Sequence, residues 1–143
     1  MVAFGIDLGT TYSCIAYVDE NKRPIVVNNA EGTPTTPSVV FFESPSNVVV
    51  GQIAKDNAVI EPLKTVQFVK RLMGKVKEAY DLDGRVISPE EVSAYILKKV
   101  VGDAEKELGC KIEDVVITCP AYFGTNERVA TRIAGEIAGL NVI

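Results

Sequence analysis

Phe4-Gly5-Ile6-Asp7-Leu8-Gly9-Thr10-Thr11-Tyr12-Ser13-Cys14 is the stretch on which the reading of this chain turns. Residues 1–8 are apolar with one acid near the end, Gly9-Thr10-Thr11 is a break, and residues 12–18 are again rich in β-formers. The pattern predicts strand, tight turn, strand. Such a turn offers what a polyphosphate needs. Gly9 has no Cβ, so backbone can come close to a ligand, and successive N–H groups in a turn form an anion-binding concavity. Thr10 and Thr11 add hydroxyl donors, and Asp7 adds a hard oxygen suited to Mg²⁺ through its waters. The plainer alternative is an ordinary hairpin turn whose acid bonds local backbone N–H groups. Against it stands the place of Asp7 inside an apolar run, where a charge is costly to bury without a partner.

Working outward, the composition is that of a globular domain or part of one. The 143 residues are 47% hydrophobic and 24% charged, with a net charge of −4. No Lys/Arg cluster offsets that charge, which excludes a phosphate-neutralising nucleic-acid footprint. The apolar runs are too short to cross a bilayer, and no basic segment followed by an apolar core marks a secretory signal. Cys14, Cys110 and Cys119 form no CxxC pair, and the chain has no histidine. A zinc site would need an unusual ligand set, and Ser-His or Cys-His nucleophilic chemistry is excluded. The cysteine usage suits a reducing, cytoplasmic compartment.

Along the chain, residues 24–27 predict a third strand, so the first three strands form an antiparallel meander. A loop over residues 28–36 leads to a strand pair, 37–42 with 47–50. Residues 51–60 read as a helix using Ile53, Ala54, Ala58 and Val59. Residues 65–73 read as another, with Val66, Val69, Leu72 and Met73 inward and Gly74 closing it. Lys70 and Arg71 lie off that face, and on pattern alone they are a solvated basic edge. Asp83-Gly84 is a hairpin-turn signal. Ser88-Pro89-Glu90-Glu91 is a capping box with proline at the first helical position. The helix it opens carries Val92, Ile96, Val100, Ala104 and Leu108 as a stripe and stops at Gly109. Residues 114–119 predict a strand buried on both faces. Residues 126–138 predict a helix with Val129, Ile133 and Ile137 inward, and residues 140–143 begin another strand. The expected class is α/β with a mixed sheet.

Several stretches match one family in order and spacing. The turn 5–13 resembles the first phosphate loop of the seventy-kilodalton heat-shock chaperones. Thr35-Thr36-Pro37-Ser38-Val39-Val40 and Val50-Gly51-Gln52-Ile53-Ala54-Lys55 resemble the next two blocks. Val69-Lys70-Arg71-Leu72-Met73-Gly74 is similar to the block with the family's catalytic lysine. Val116-Ile117-Thr118-Cys119-Pro120-Ala121-Tyr122-Phe123, continuing through Arg128 to Leu140, is similar to the block around its switch proline. Pro34 and Gly124 depart from residues common in the family, and residues 74–88 are short, as in some bacterial members.

The resemblance implies the first lobe of an actin-like, ribonuclease-H-like ATPase, incomplete here, with residues 1–28 and 88–143 as core and about 29–87 as a smaller inserted subdomain. It implies ATP or ADP with Mg²⁺ as ligands. Asp7 would hold the Mg²⁺ hydration shell, and Gly9, Thr10, Thr11 and Tyr12 would line the phosphates. Lys70 would sit near the γ-phosphate and the attacking water, which turns the basic edge into a catalytic element. Pro120 and Arg128 would relay nucleotide state. The parent would bind and release unfolded polypeptides with a J-domain co-chaperone and a nucleotide-exchange factor, and this part alone would hydrolyse ATP negligibly. A small-molecule kinase on the same two-lobe scaffold and a non-catalytic, actin-like assembly module stay open as other readings.

Overall fold

The computed structural model describes residues 3–75, 79–82 and 84–143. The first two residues of the expected opening strand, and Asp83 of the hairpin signal, lie outside them.

Strand β1 (Phe4–Leu8) pairs antiparallel with β2 (Tyr12–Val18), with Phe4 opposite Tyr17 and Leu8 opposite Ser13. β3 (Pro24–Val26) continues the meander, and β4 (Thr36–Pro37) pairs with the start of β2. The Asp19 carboxylate closes the β2–β3 turn by accepting the N–H groups of Asn21 and Arg23. β5 (Val39–Ser44) lies between β6 (Asn47–Val50) and β7 (Thr65–Gln67) in a second sheet, with helix α1 (Gln52–Asn57) against it. β8 (Tyr80–Leu82) and β9 (Arg85–Ile87) form a separate hairpin. Helix α2 (Pro89–Leu108), strand β10 (Asp114–Ile117), helix α3 (Thr125–Ile137) and strand β11 (Asn141–Val142) complete the described chain.

β10 runs parallel to β1 and β11 parallel to β10, giving the mixed order β11-β10-β1-β2-β3. Because β1 and β10 are parallel, their carboxyl ends open on the same edge of the sheet, where ligands of open α/β sheets sit. Period-two alternation divides the faces. Phe4, Ile6, Leu8, Ile15 and Val115 are buried in the main core, while Gly5, Asp7 and Val116 are exposed on the opposite face.

The helix expected after Ser88 forms as α2. The Ser88 hydroxyl accepts the Glu91 N–H at 3.2 Å, a cap of the kind that contributes about 1 kcal/mol. Ile96 and Leu97 are fully buried, each contributing roughly 1.5–3 kcal/mol. The buried surface of α2 is wider than one stripe and takes in Leu97 and Val101, because α2 packs against both sheets and against α3. Among the described residues no helix is long and apolar enough to cross a membrane.

Four expectations need correction. Residues 65–73 are not one helix: Thr65–Gln67 joins the edge of β5, Phe68 turns through φ 58°, and only Val69–Leu72 forms a 3₁₀ turn. Val66 is buried as expected, but from a strand. Helix α1 ends at Asn57, whose carbonyl accepts the Ile60 and Glu61 N–H groups, leaving Val59 and Ile60 exposed. The strand buried on both faces is β5, with Val40 and Phe42 in the main core and Val39 and Phe41 clustered with Ala54. In β10, Val116 is 47% exposed, since the helices pack on the other face.

Helix α3 is turned about its axis from the expected orientation. Ala130, Thr131, Ala134 and Gly135 are buried, and Val129, Ile133 and Ile137 are outward and 49%, 40% and 44% exposed. Close approach explains this choice. A Cβ on Gly135 would lie 2.4 Å from Val142 Cγ2 and 3.2 Å from Ile117 Cδ1, so only the small-residue face fits the sheet.

Candidate functional site

The edge formed by the carboxyl ends of β1 and β10 gathers most of the residues singled out in the sequence. Asp7 lies on the exposed sheet face one residue before the end of β1. Its Oδ1 accepts the Thr118 hydroxyl at 3.1 Å, and the Thr118 N–H donates to the Ile6 carbonyl at 2.9 Å. The carboxylate is therefore oriented by a neighbour from the parallel strand rather than by the turn that follows it. Among the described residues no group of three or more His, Cys, Asp or Glu side chains is arranged to hold a metal. A lone exposed carboxylate beside a hydroxyl fits a hydrated Mg²⁺, which takes one or two carboxylates and keeps its waters.

The turn 9–11 follows directly. A Cβ on Gly9 would fall 2.0 Å from the Tyr12 carbonyl oxygen, so the tightness of the turn depends on glycine. Thr11 and Tyr12 are exposed, and Thr10 is half-buried. The Tyr12 hydroxyl accepts a hydrogen bond from Lys55 Nζ at 2.9 Å.

Lys70 reaches the same place from the second sheet. The 3₁₀ turn after Phe68 directs it back, and Nζ donates to the Leu8 carbonyl at 2.5 Å, immediately before the turn. Nζ also lies 5.8 Å from the centre of the Phe123 ring. Arg71, next in sequence, stacks instead on Phe68 at 4.7 Å. The two adjacent cations thus have separate environments, one at the turn and one on the surface.

Pro120 and Arg128 are joined through Phe123. The Phe123 N–H donates to the Pro120 carbonyl at 3.0 Å, and Arg128 Nε donates to the Phe123 carbonyl at 3.3 Å. Phe123 is buried and carries Lys70 near its ring, so it links the two groups of residues. Thr118, Phe123 and Lys55 were not singled out as site residues on sequence. Thr118 had one legible signal, its place near the end of the strand expected over residues 114–119, which the structure ends at Ile117.

Cys14 sits opposite Asp7 in the β1–β2 ladder. Burial pushes its thiol up from the ordinary value, and the Asp7 carboxylate adds to that, against a backbone hydrogen bond that lowers it. The reactive thiolate is thus scarcer at neutral pH. Iodoacetamide at pH 7.5 is expected to alkylate Cys14 severalfold more slowly than the exposed Cys110, with Cys14 accelerating as pH rises towards its raised value. Peptide mapping over time checks this, and equal rates at both cysteines would refute it.

The arrangement combines a carboxylate, a glycine-dependent turn with two hydroxyls and a reaching lysine. These are groups suited to a hydrated cation and a polyphosphate. Comparison with known protein families agrees with that chemistry. The model of the Hsp70 protein family matches residues 3–83 and 75–143, and the mixed sheet with its helices is compatible with part of that family's actin-like ATPase fold. The chain belongs to the Hsp70 family of ATP-binding chaperones.

Proposed function

We propose that residues 1–143 form the N-terminal lobe of a chaperone ATPase and supply one wall of its nucleotide cleft. The observation that carries this is the convergence of Asp7, the turn 9–11 and Lys70 at the carboxyl ends of β1 and β10. Gly9 lets backbone approach the phosphates, and Thr10, Thr11 and Tyr12 bind the β- and γ-phosphates. Asp7, oriented by Thr118, holds the cation through water. The metal supplies charge neutralisation on the phosphates when bound. Lys70 exchanges the Leu8 carbonyl for the γ-phosphate and attacking water, where its charge stabilises the transition state.

Residues 1–28 and 88–143 act as the core subdomain, and about 29–87 as the smaller inserted one. Pro120 and Arg128 relay nucleotide state, with Phe123 as the physical link to Lys70. The whole ATPase drives binding and release of unfolded polypeptides in the cytoplasm, with a J-domain co-chaperone and an exchange factor. Residues 1–143 alone hydrolyse ATP negligibly, since phosphoryl transfer depends on positioning from both walls.

Titrating the ¹⁵N-labelled chain with millimolar Mg-ATP tests the reading. Amide shifts are expected at residues 9–12 and 70, weakened about tenfold or more by Asp7→Ala or Lys70→Ala. Shifts elsewhere, or shifts indifferent to both substitutions, would sink the assignment.

A further inference from the structure

The loop between β3 and β5 is tied at both ends. Asn29 is its knot. Its Oδ1 accepts the Glu31 N–H at 3.1 Å, the Thr33 N–H at 2.9 Å and the Thr33 hydroxyl at 3.0 Å. Its Nδ2 donates to the Thr35 carbonyl at 3.1 Å and the Thr36 hydroxyl at 3.0 Å. One side chain therefore folds residues 29–36 upon themselves with both its donor and its acceptor in use.

On one side the knot is anchored to α2. The buried Asp103 carboxylate accepts the Ala30 N–H at 3.0 Å and pairs with Lys99 at 2.7 Å. Lys99 also holds the Glu31 carboxylate at 2.9 Å. Burial works against the Lys99 charge, but Asp103 and Glu31 more than offset it and keep the ammonium above its ordinary pKa.

On the other side the loop meets the turn. Thr36 and Pro37 pair with Ser13 and Tyr12. The Ser38 N–H donates to the Thr11 carbonyl at 2.9 Å, and the Ser38 and Ser13 hydroxyls bond to each other at 2.8 Å. Both serines are only 1% exposed. A buried hydroxyl pair adds little net stability over two methyl groups, since replacing both partners by apolar groups can be nearly neutral. What it does add is direction, because the pair is satisfied in one register of residues 36–38 against β2.

We infer that Asn29 and Ser38 are positioning residues, which carry the anchorage of this loop on α2 to the carbonyl side of the turn 9–11 and set that turn before a polyphosphate arrives. The inference rests on the reading of that turn as a phosphate site, and its physical content is preorganisation: order paid before binding is not paid during it. Neither residue needs to touch the ligand.

The experiment separates this claim from the nucleotide reading by using the ¹⁵N-labelled chain without nucleotide. Asn29→Ala is expected to raise amide exchange at Ser38 about tenfold and to move the resonances of residues 9–11. The amides of Ile96 and Val100 in α2 keep their rates. Asn29→Asp, which retains the acceptor and loses the donor, gives an intermediate effect. The double variant Ser13→Ala with Ser38→Ala melts near the parent temperature while its turn resonances shift, and it decides the matter if Asn29→Ala does not fold. Unmoved turn resonances in the folded variants, or exchange raised evenly across α2, would overturn the inference. Mg-ATP is then titrated into parent and variants. An affinity equal in all of them would also overturn it, while a parent that shows no shifts at residues 9–12 would count against the nucleotide reading and leave the exchange result to decide positioning.

Discussion

Replacing Gly9 with alanine is expected to lower the melting temperature by about 10 °C and to abolish the Mg-ATP response of residues 9–12. The new Cβ would lie 2.0 Å from the Tyr12 carbonyl oxygen and 3.2 Å from its carbon. Both are backbone atoms inside one tight turn, so no side chain can rotate aside to make room. Relief requires opening the turn, which pulls Ser13 out of register with Leu8, shifts Tyr12 against Pro37 and disturbs the buried Ser13–Ser38 pair. About 3 kcal/mol is a fair magnitude for overpacking of that kind. Gly5→Ala is the control, because nothing lies within 4 Å of a Cβ at Gly5 in the strand that precedes the turn. Circular dichroism melts of the two variants decide the matter. If Gly9→Ala melts no lower than Gly5→Ala, the tight-turn argument is wrong.

The second large effect is expected at Gly74→Ala, at roughly 2–4 kcal/mol of lost stability from strain and contact together. Gly74 has φ 80°, a conformation that alanine adopts only with strain. A Cβ there would also lie 2.8 Å from the Glu127 nitrogen and 2.9 Å from the Asn126 carbonyl carbon. That contact is with the first turn of α3, whose backbone is held by its own hydrogen bonds. Displacing it moves Arg128 and, through the Phe123 carbonyl, the ring beside Lys70. A stability defect would thus come with a change at the site. Gly109→Ala isolates the strain component, since Gly109 has φ 65° with no atom within 4 Å of its Cβ, and about 1 kcal/mol is expected. Urea midpoints of the two variants measure the difference. Equal losses would show that the contact with α3 has no energetic weight.

Much of the site was legible because its parts are local. A glycine between two β-forming runs, an acid one place before a strand end and two threonines in a turn can be read without knowing what lies nearby. Lys70 shows where local reading stops. On pattern it belongs to a solvated basic edge together with Arg71, and nothing local distinguishes the two cations. Their difference comes from Phe68, whose left-handed backbone separates β7 from the 3₁₀ turn, and from a Leu8 carbonyl far away in sequence. Thr118 and Phe123 escaped for the same reason, since their importance lies in partners on other elements.

The helices divide along the same line. For α2, cap, stripe and terminating glycine all lie within the segment, and the structure has the Ser88 cap, the buried stripe from Val92 to Ala104 and Gly109 as the C-cap, with Leu108 at the last turn left exposed. For α3, the widest apolar stripe is the outward one, because hydrophobicity measures what a residue gains by burial and says nothing of how much room the site allows. The space beside Ile117 and Val142 admits Gly135 and not a larger residue.

By itself, then, the sequence determined the mixed α/β class, the meander, the extent of α2 and the tight glycine turn after β1, since each depends on periodicity, caps or turn chemistry within a few neighbouring residues. Tertiary structure alone decided which face of α3 is buried, which strand is covered on both sides, and which of two neighbouring cations meets the turn. Those outcomes depend on distances between elements remote in the chain, and such distances are set by packing volume rather than by local pattern.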